Sequence, residues 1–187
     1  MKIIVVLKFK LDNTNLNFSY RKVENMKKNH LPILGVGPMY VIIIVVMTIF
    51  SIILSTTGII PIITFTNLQW IFILMGILCF VIGITLWLKA VIIDRLDEHI
   101  IKNELVTTGI YAYVRNPVYS AFMFVCTGVL LIYGNLILLL LPIIYWGFMT
   151  LLMKLTEEKW LTDLYGQEYI NYCKRVNRCI PWKGKSV

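Results

Sequence analysis

Long apolar runs separated by short polar connections dominate the chain from residue 31 onwards. The first run, Leu31–Leu54, is uncharged, and the second, Trp70–Leu88, continues past Lys89 to Ile93. A helix needs ~20 residues to cross the ~30 Å hydrocarbon core of a bilayer. Each of these two runs therefore predicts one membrane-spanning helix.

A further apolar run, uncharged between Arg115 and Lys154, is too long for a single span. The sequence YGN at Tyr133–Asn135 interrupts it near the middle, as a tight turn would. We expect a helical hairpin that forms the third and fourth spans, with Pro142 tolerated as a kink in the fourth.

The segment after the hairpin, Thr156–Val176, has the periodicity of an amphipathic helix with a break at Gly166. Its apolar positions at helical spacing are Trp160, Leu161, Leu164, Tyr165, Tyr169 and Tyr172. Such a helix lies against lipid headgroups. The pattern as a whole predicts an all-α polytopic membrane protein with about four transmembrane helices and a C-terminal amphipathic helix.

Composition supports an integral membrane protein. Of the 187 residues 58% are hydrophobic and the mean hydropathy is +0.77, whereas soluble proteins are roughly half apolar. The length is typical of one domain. We expect an N-terminal extension over residues 1–30 and one membrane domain over residues 31–187, with a cofactor-binding part at about 105–182.

Charge placement predicts the orientation. All 18 Lys and Arg residues lie before Leu31, between Lys89 and Arg115, or from Lys154 onwards. With four spans these segments share one side, which the positive-inside rule makes the cytoplasm. Both termini and the active site are then cytoplasmic. The formal net charge of +8 fits membrane lipids better than nucleic acid, because the basic residues flank apolar runs.

The N-terminal segment contains no signal-peptide cleavage site. Met26, followed by two lysines just before the first span, resembles a natural start. We therefore expect that deletion of residues 1–25 leaves activity intact.

Cysteine and histidine spacing does not predict a metal site. Zinc sites need closer pairs and additional ligands than this chain offers. Cys79 and Cys126 lie inside apolar runs, and Cys173 and Cys179 lie six residues apart in the basic tail. The two histidines, His30 and His99, are distant in sequence.

A polar and aromatic cluster, GIYAYVRNPVYS at Gly109–Ser120, precedes the hairpin. By itself, Arg115-Asn116-Pro117 is typical of a helix start, with proline at the first helical position. Arg115 and the neighbouring tyrosines could equally form an interfacial belt.

The order of this cluster, a hairpin, and then EEKWLTDLYGQEYINYCKRVNRCIPW at Glu157–Trp182 changes that interpretation. It strongly resembles the isoprenylcysteine carboxyl methyltransferase family and the related phospholipid N-methyltransferases. Their pattern is G-x-Y-x-x-x-R-H-P-x-Y, a hairpin, then E-E-x-x-L-x-x-x-(F/Y)-G-x-x-Y-x-x-Y-x-x-x-V-x-R-x-x-P. The matching positions are Gly109, Tyr111, Arg115, Pro117, Tyr119, Glu157, Glu158, Leu161, Tyr165, Gly166, Tyr169, Tyr172, Val176, Arg178 and Pro181. The resemblance covers roughly Leu105 to Trp182, and the first half of the chain matches only in hydropathy.

The resemblance implies S-adenosyl-L-methionine as cofactor. It implies catalytic roles for Arg115, Asn116 and Glu158. The implied cofactor-binding residues are Gly109, Tyr111, Arg115, Asn116, Pro117, Tyr119, Glu157, Glu158, Tyr169 and Arg178. Arginine can bind the cofactor's carboxylate through two nitrogens, a glutamate can accept from its ammonium or ribose, and tyrosine faces can stack on adenine or the sulfonium.

Asn116 departs from the family pattern, which has His there. Asn cannot take up a proton at neutral pH, which puts an imidazole base in doubt. The favoured acceptor is a lipidic or prenylated small molecule with a carboxylate, which needs no base. Alternatives are a lipid amine or hydroxyl acceptor, a nicotinamide-dependent membrane reductase of the steroid-reductase-like type, and a non-catalytic scaffold.

Overall fold

The computed structural model describes residues 35–94 and 105–182. Within these ranges there is no β-strand, and a single bridge pairs Val114 with Asn177. The predicted extension over residues 1–30, its boundary, and both histidines lie outside the described residues.

Helices account for most of the described chain. The α-helices are α1 (Gly37–Thr56), α2 (Gln69–Leu88), α3 (Pro117–Tyr133), α4 (Leu141–Leu155), α5 (Glu157–Tyr165) and α6 (Gln167–Arg175). Shorter elements are 3-10 turns at Thr66–Leu68, Gly109–Ala112 and Leu136–Leu140, and a π-helix at Lys89–Ile93 that continues α2.

Three of the described segments are long and apolar enough to cross a membrane: Gly37–Thr56, Thr66–Ile93 and Leu136–Tyr165. The remaining apolar helix, α3, has 17 residues and is shorter than a typical span. The predicted all-α polytopic architecture is confirmed. The predicted break at Gly166 is also present, and it divides the C-terminal segment into α5 and α6.

The hairpin turns at the predicted place. Gly134 ends α3 in the left-handed conformation (φ 79°), which glycine adopts without a steric cost. Pro142 lies inside the span Leu136–Tyr165, as expected. It is the second residue of α4, directly after the 3-10 turn, where the backbone N–H that proline lacks would have no partner in the α-helix.

Helices α2 and α3 pack backbone against backbone. A Cβ placed on Gly76 would lie 2.8 Å from the carbonyl oxygen of Gly128, and one on Gly83 would lie 2.8 Å from that of Ala121. Small residues at such crossings let membrane helices approach closely. The rest of α2 is largely exposed, as expected for a helix that faces lipid.

A buried asparagine joins the connections at the end of the molecule that carries the hairpin turn. The Asn135 amide donates to Ser55 Oγ (2.9 Å) and to the carbonyl of Pro61 (3.1 Å). Its oxygen accepts from the backbone N–H groups of Ile63 (3.3 Å) and Ile137 (3.2 Å). One fully buried side chain therefore fixes the turn after α3 to the connection after α1.

Candidate functional site

The loop before α3 and the chain after α6 are held together by hydrogen bonds. These run from Arg115 N to Asn177 O (2.8 Å), from Asn116 N to Arg178 O (3.2 Å), from Trp182 N to Tyr113 O (3.1 Å) and from Tyr172 Oη to Tyr111 O (2.6 Å). The two sequence motifs, separated by the hairpin in sequence, therefore form one unit at the opposite end of the helices from Asn135.

Three charged side chains from these motifs meet in this unit, and we call them the Arg-Glu-Arg cluster: Arg115, Glu158 and Arg178. Glu158 accepts hydrogen bonds from Arg178 Nε (2.6 Å) and Nη2 (3.0 Å), and its Oε1 forms an ion pair with Arg115 Nη1 at 3.1 Å. The side chains are 8%, 18% and 17% exposed for Arg115, Glu158 and Arg178 respectively. Two guanidinium groups share one carboxylate, so the cluster carries a net charge of +1.

Arginine 115 retains an unused donor. Its Nη1 contacts Glu158 and Cys173 Sγ, but its buried Nε has no hydrogen-bond partner. The hydroxyls of Tyr111 and Ser120 are likewise buried and without a partner in the described structure. Buried polar groups without a partner are costly, and an ordered water or a bound ligand is a common explanation for them.

Glutamate 157 points away from the cluster. Its Oε1 accepts from the backbone N–H of Val36 (3.1 Å) and the hydroxyl of Tyr119 (2.9 Å). Val36 is the residue before α1, so a carboxylate lies at the positive end of that helix dipole, which is favourable. Gly37 allows this approach, because a Cβ there would overlap the Tyr119 ring.

Aspartate 94, at the end of the π-helix, holds the start of the loop. Its carboxylate accepts from the backbone N–H of Ile110 (2.7 Å). It occupies the space where a Cβ of Gly109 would lie, and Gly109 has a left-handed φ of 59°. A glycine at this position is therefore required on two grounds.

The tyrosines of the site are neutral phenols. Burial raises the pKa of Tyr111, Tyr169 and Tyr172 above the ordinary value of 10. Hydrogen bonding to Glu158 raises the pKa of Arg178. At neutral pH these groups donate hydrogen bonds or carry positive charge, and none of them serves as a general base.

The structure thus separates the predicted site residues into groups. Arg115, Glu158 and Arg178 form the cluster. The side chain of Asn116 donates a hydrogen bond to the backbone carbonyl of Arg178. The others lie around it: Glu157 with Tyr119, Gly109 against Asp94, Tyr111 buried, Pro117 as the first residue of α3, and Tyr169 against the ring of Tyr172.

Sequence reasoning missed two side chains that touch this unit, Cys173 and Asp94. Cys173 lies one helical turn after Tyr169, so the sequence predicts that both lie on the same face of α6. No feature of the neighbouring sequence predicts the contact between Cys173 and Arg115. Asp94 is the first acidic residue after the second apolar run, but nothing in the sequence indicated its contact with Ile110.

Comparison with known proteins places the chain in a family. A family model described as phospholipid methyltransferase matches residues 71–168, which include Arg115 and Glu158. No solved structure matches the chain significantly.

Three relatives carry the same activity in their names. Protein-S-isoprenylcysteine O-methyltransferase of Schizosaccharomyces pombe is 40% identical over 78 residues, 41% of this chain and 33% of that protein. The protein of that name from Saccharomyces cerevisiae is 33% identical over 92 residues, covering 46% and 38%. Protein-S-isoprenylcysteine O-methyltransferase B of Arabidopsis thaliana is 30% identical over 89 residues, covering 47% and 43%.

The matched regions span less than half the length of each of these relatives. The resemblance inferred from the two motifs is confirmed. Because the family model covers more than half of the 187 residues, this chain belongs to the phospholipid methyltransferase family.

Proposed function

We propose that this chain is a membrane methyltransferase that transfers a methyl group from S-adenosyl-L-methionine to the carboxylate of an isoprenylcysteine-like lipidic acceptor. The observation that carries the proposal is the Arg-Glu-Arg cluster, with its net positive charge and the unpartnered Nε of Arg115. The names of the three relatives supply the acceptor class.

The residues present fit the proposed cofactor. The cluster offers excess positive charge and one free N–H, that of Arg115 Nε, and a carboxylate is the group that such a guanidinium binds most strongly. Tyr111 and Ser120 add two buried hydroxyls for polar groups of a ligand. When bound, S-adenosyl-L-methionine supplies an electrophilic methyl group on a sulfonium.

The side chains of this chain would then bind and orient. Arg115 and Arg178 hold the anionic end of the donor, Glu158 keeps the two guanidinium groups in place, and the buried tyrosines keep water away. Placing two reactants at ~3–3.5 Å supplies much of the rate acceleration of such a displacement. A carboxylate acceptor needs no deprotonation, which agrees with a site that has neutral phenols and Asn116 where a base would be required.

The proposed orientation puts the cluster in the cytoplasm. The described connections at the opposite end, residues 57–68 and 133–140, contain no charged residue, whereas the described segments at the cluster end contain Arg115, Lys174, Arg175 and Arg178. The positive-inside rule supports this topology. Accessibility of an introduced cysteine in residues 57–65 to an impermeant maleimide from outside the cell tests it, and labelling only after permeabilisation would refute it.

The function is tested with the purified full chain in nanodiscs. Donor with a radiolabelled methyl group is supplied with an N-acetylated, S-prenylated cysteine, and the control acceptor is its carboxamide. We expect label only on the free acid, released by base as volatile methanol. Arg115→Ala should lower transfer by more than about tenfold, whereas the exposed Arg175→Ala should not change it. A folded wild type that neither transfers the methyl group nor binds S-adenosylhomocysteine overturns the proposal.

The description of the family model favours a second candidate, methylation of a phospholipid amine. Such a product resists base, so the same assay with a phosphatidylethanolamine acceptor separates the two reactions. The proposal does not extend to a nicotinamide-dependent reductase, because the three relatives described above are all named as methyltransferases.

A further inference from the structure

Asparagine 116 occupies a position where its side chain would ordinarily cap a helix. It is the residue directly before α3, and asparagine is favoured there because its oxygen can accept from the first turn. In this structure the side chain makes no such cap. Its Nδ2 instead donates to the backbone carbonyl of Arg178 at 3.2 Å, 62 residues away in sequence.

The same carbonyl also accepts from the backbone N–H of Asn116 at 3.2 Å. Arg178 lies beyond the end of α6, so no helical hydrogen bonds fix its backbone. Two donors from one residue therefore restrain the carbonyl of Arg178, while its guanidinium binds Glu158 through two nitrogens. The position of the Arg178 guanidinium therefore depends on the hydrogen bonds to its backbone carbonyl as well as on those to Glu158.

We propose that Asn116 is a positioning residue that acts by donating a hydrogen bond to Arg178, and that it neither accepts a proton nor contacts the acceptor. This inference deepens the proposed function, since Arg178 is placed there in the donor site. A side chain at position 116 must therefore present an N–H towards a carbonyl, which asparagine can do, histidine can do in the tautomer or the imidazolium form that carries a proton on the facing nitrogen, and an ionised aspartate cannot.

Three substitutions distinguish donation from proton uptake. In Asn116→Asp a carboxylate faces the Arg178 carbonyl, and we expect affinity for S-adenosylhomocysteine to fall by at least about tenfold. Asn116→His should keep affinity within about threefold, and its pH–rate profile should match that of the wild type. Asn171→Asp, which adds the same charge at an exposed position of α6, should bind like the wild type.

A double-mutant cycle tests whether Asn116 acts through Arg178. Arg178→Ala removes the guanidinium but keeps the backbone carbonyl, so Asn116→Asp in that background should lower affinity by less than about twofold. An undiminished tenfold loss there would overturn the inference, as would an Asn116→His enzyme that gains a new ionisation in its kcat profile.

Failure of the proposed function is distinguishable from failure of this inference. If the folded wild type does not bind S-adenosylhomocysteine, the proposed function fails. The free energy of unfolding of Asn116→Asp and Asn116→His in mixed micelles then decides the role of Asn116. A loss of stability in Asn116→Asp that Asn116→His does not show supports the inference, and equal losses in the two variants overturn it.

Discussion

Glu157 and Glu158 are adjacent in sequence, yet their hydrogen bonds predict different responses to the same substitution. Glu157 accepts from neutral donors, a backbone N–H and a phenol. The amide oxygen of Gln can accept both bonds, so Glu157→Gln loses only the extra strength of a charged acceptor, about 1 kcal/mol.

Glu158→Gln has a larger expected cost. The Glu158 carboxylate accepts two N–H groups of Arg178 at 2.6 and 3.0 Å and pairs with Arg115 Nη1 at 3.1 Å, with 18% of its side chain exposed. A glutamine oxygen cannot satisfy two arginines, and its NH₂ would face one of them. Removing one member of a buried charge cluster costs about 3–5 kcal/mol, and partial exposure places this case near about 3 kcal/mol.

The free energy of unfolding in detergent–dodecyl sulfate mixtures, followed by circular dichroism, measures both variants. We expect Glu158→Gln to lose about 2 kcal/mol more than Glu157→Gln. Glu168→Gln, at an exposed position of α6, is the control for loss of a carboxylate alone. Equal losses for Glu157→Gln and Glu158→Gln, or the reverse order, would refute the assignment of the two carboxylates.

Three further predictions concern the fold. Gly128→Ala places a methyl group 2.8 Å from the Gly76 carbonyl and should cost about 1–3 kcal/mol in unfolding free energy, whereas Gly147→Ala, with nothing within 4 Å, should cost nothing. Asn135→Leu removes the fully buried side chain that accepts from the backbone N–H groups of Ile63 and Ile137, and it should cost about 2 kcal/mol, with unchanged affinity for S-adenosylhomocysteine in the folded fraction. Burial raises the pKa of Cys179 from 9.0 to about 11, so the unfolded chain loses this proton first. Stability should therefore fall as the pH rises from 9 towards 11, and less so in Cys179→Ala.

Local sequence was sufficient to predict the elements. The apolar runs predicted α1, α2 and the hairpin because burial in lipid is decided by side chains a few residues apart. Gly134 and Gly166 marked real breaks, since a left-handed backbone is a property of single residues. Pro142 was harder, because whether a proline kinks a helix or begins one depends on the turn before it.

The partners of the site residues could not be predicted in the same way. The motif grouped both glutamates, but the contact between Glu157 and Val36 joins residues 121 positions apart. No periodicity encodes such a pairing, since it depends on how α1 packs against α3 and α5. The four bonds of Asn135 show the same limit, because the sequence around it indicates only a turn.

The crossing of α2 and α3 limits where a hydrocarbon chain can pass between the helices. Gly76 and Gly83 of α2 lie so close to the backbone carbonyls of Gly128 and Ala121 in α3 that no methyl group fits between the helices at these points. The seam between α2 and α3 therefore admits no hydrocarbon chain at these two points. Under the proposed function, the prenyl tail of the acceptor would have to reach the Arg-Glu-Arg cluster by a path other than these crossing points.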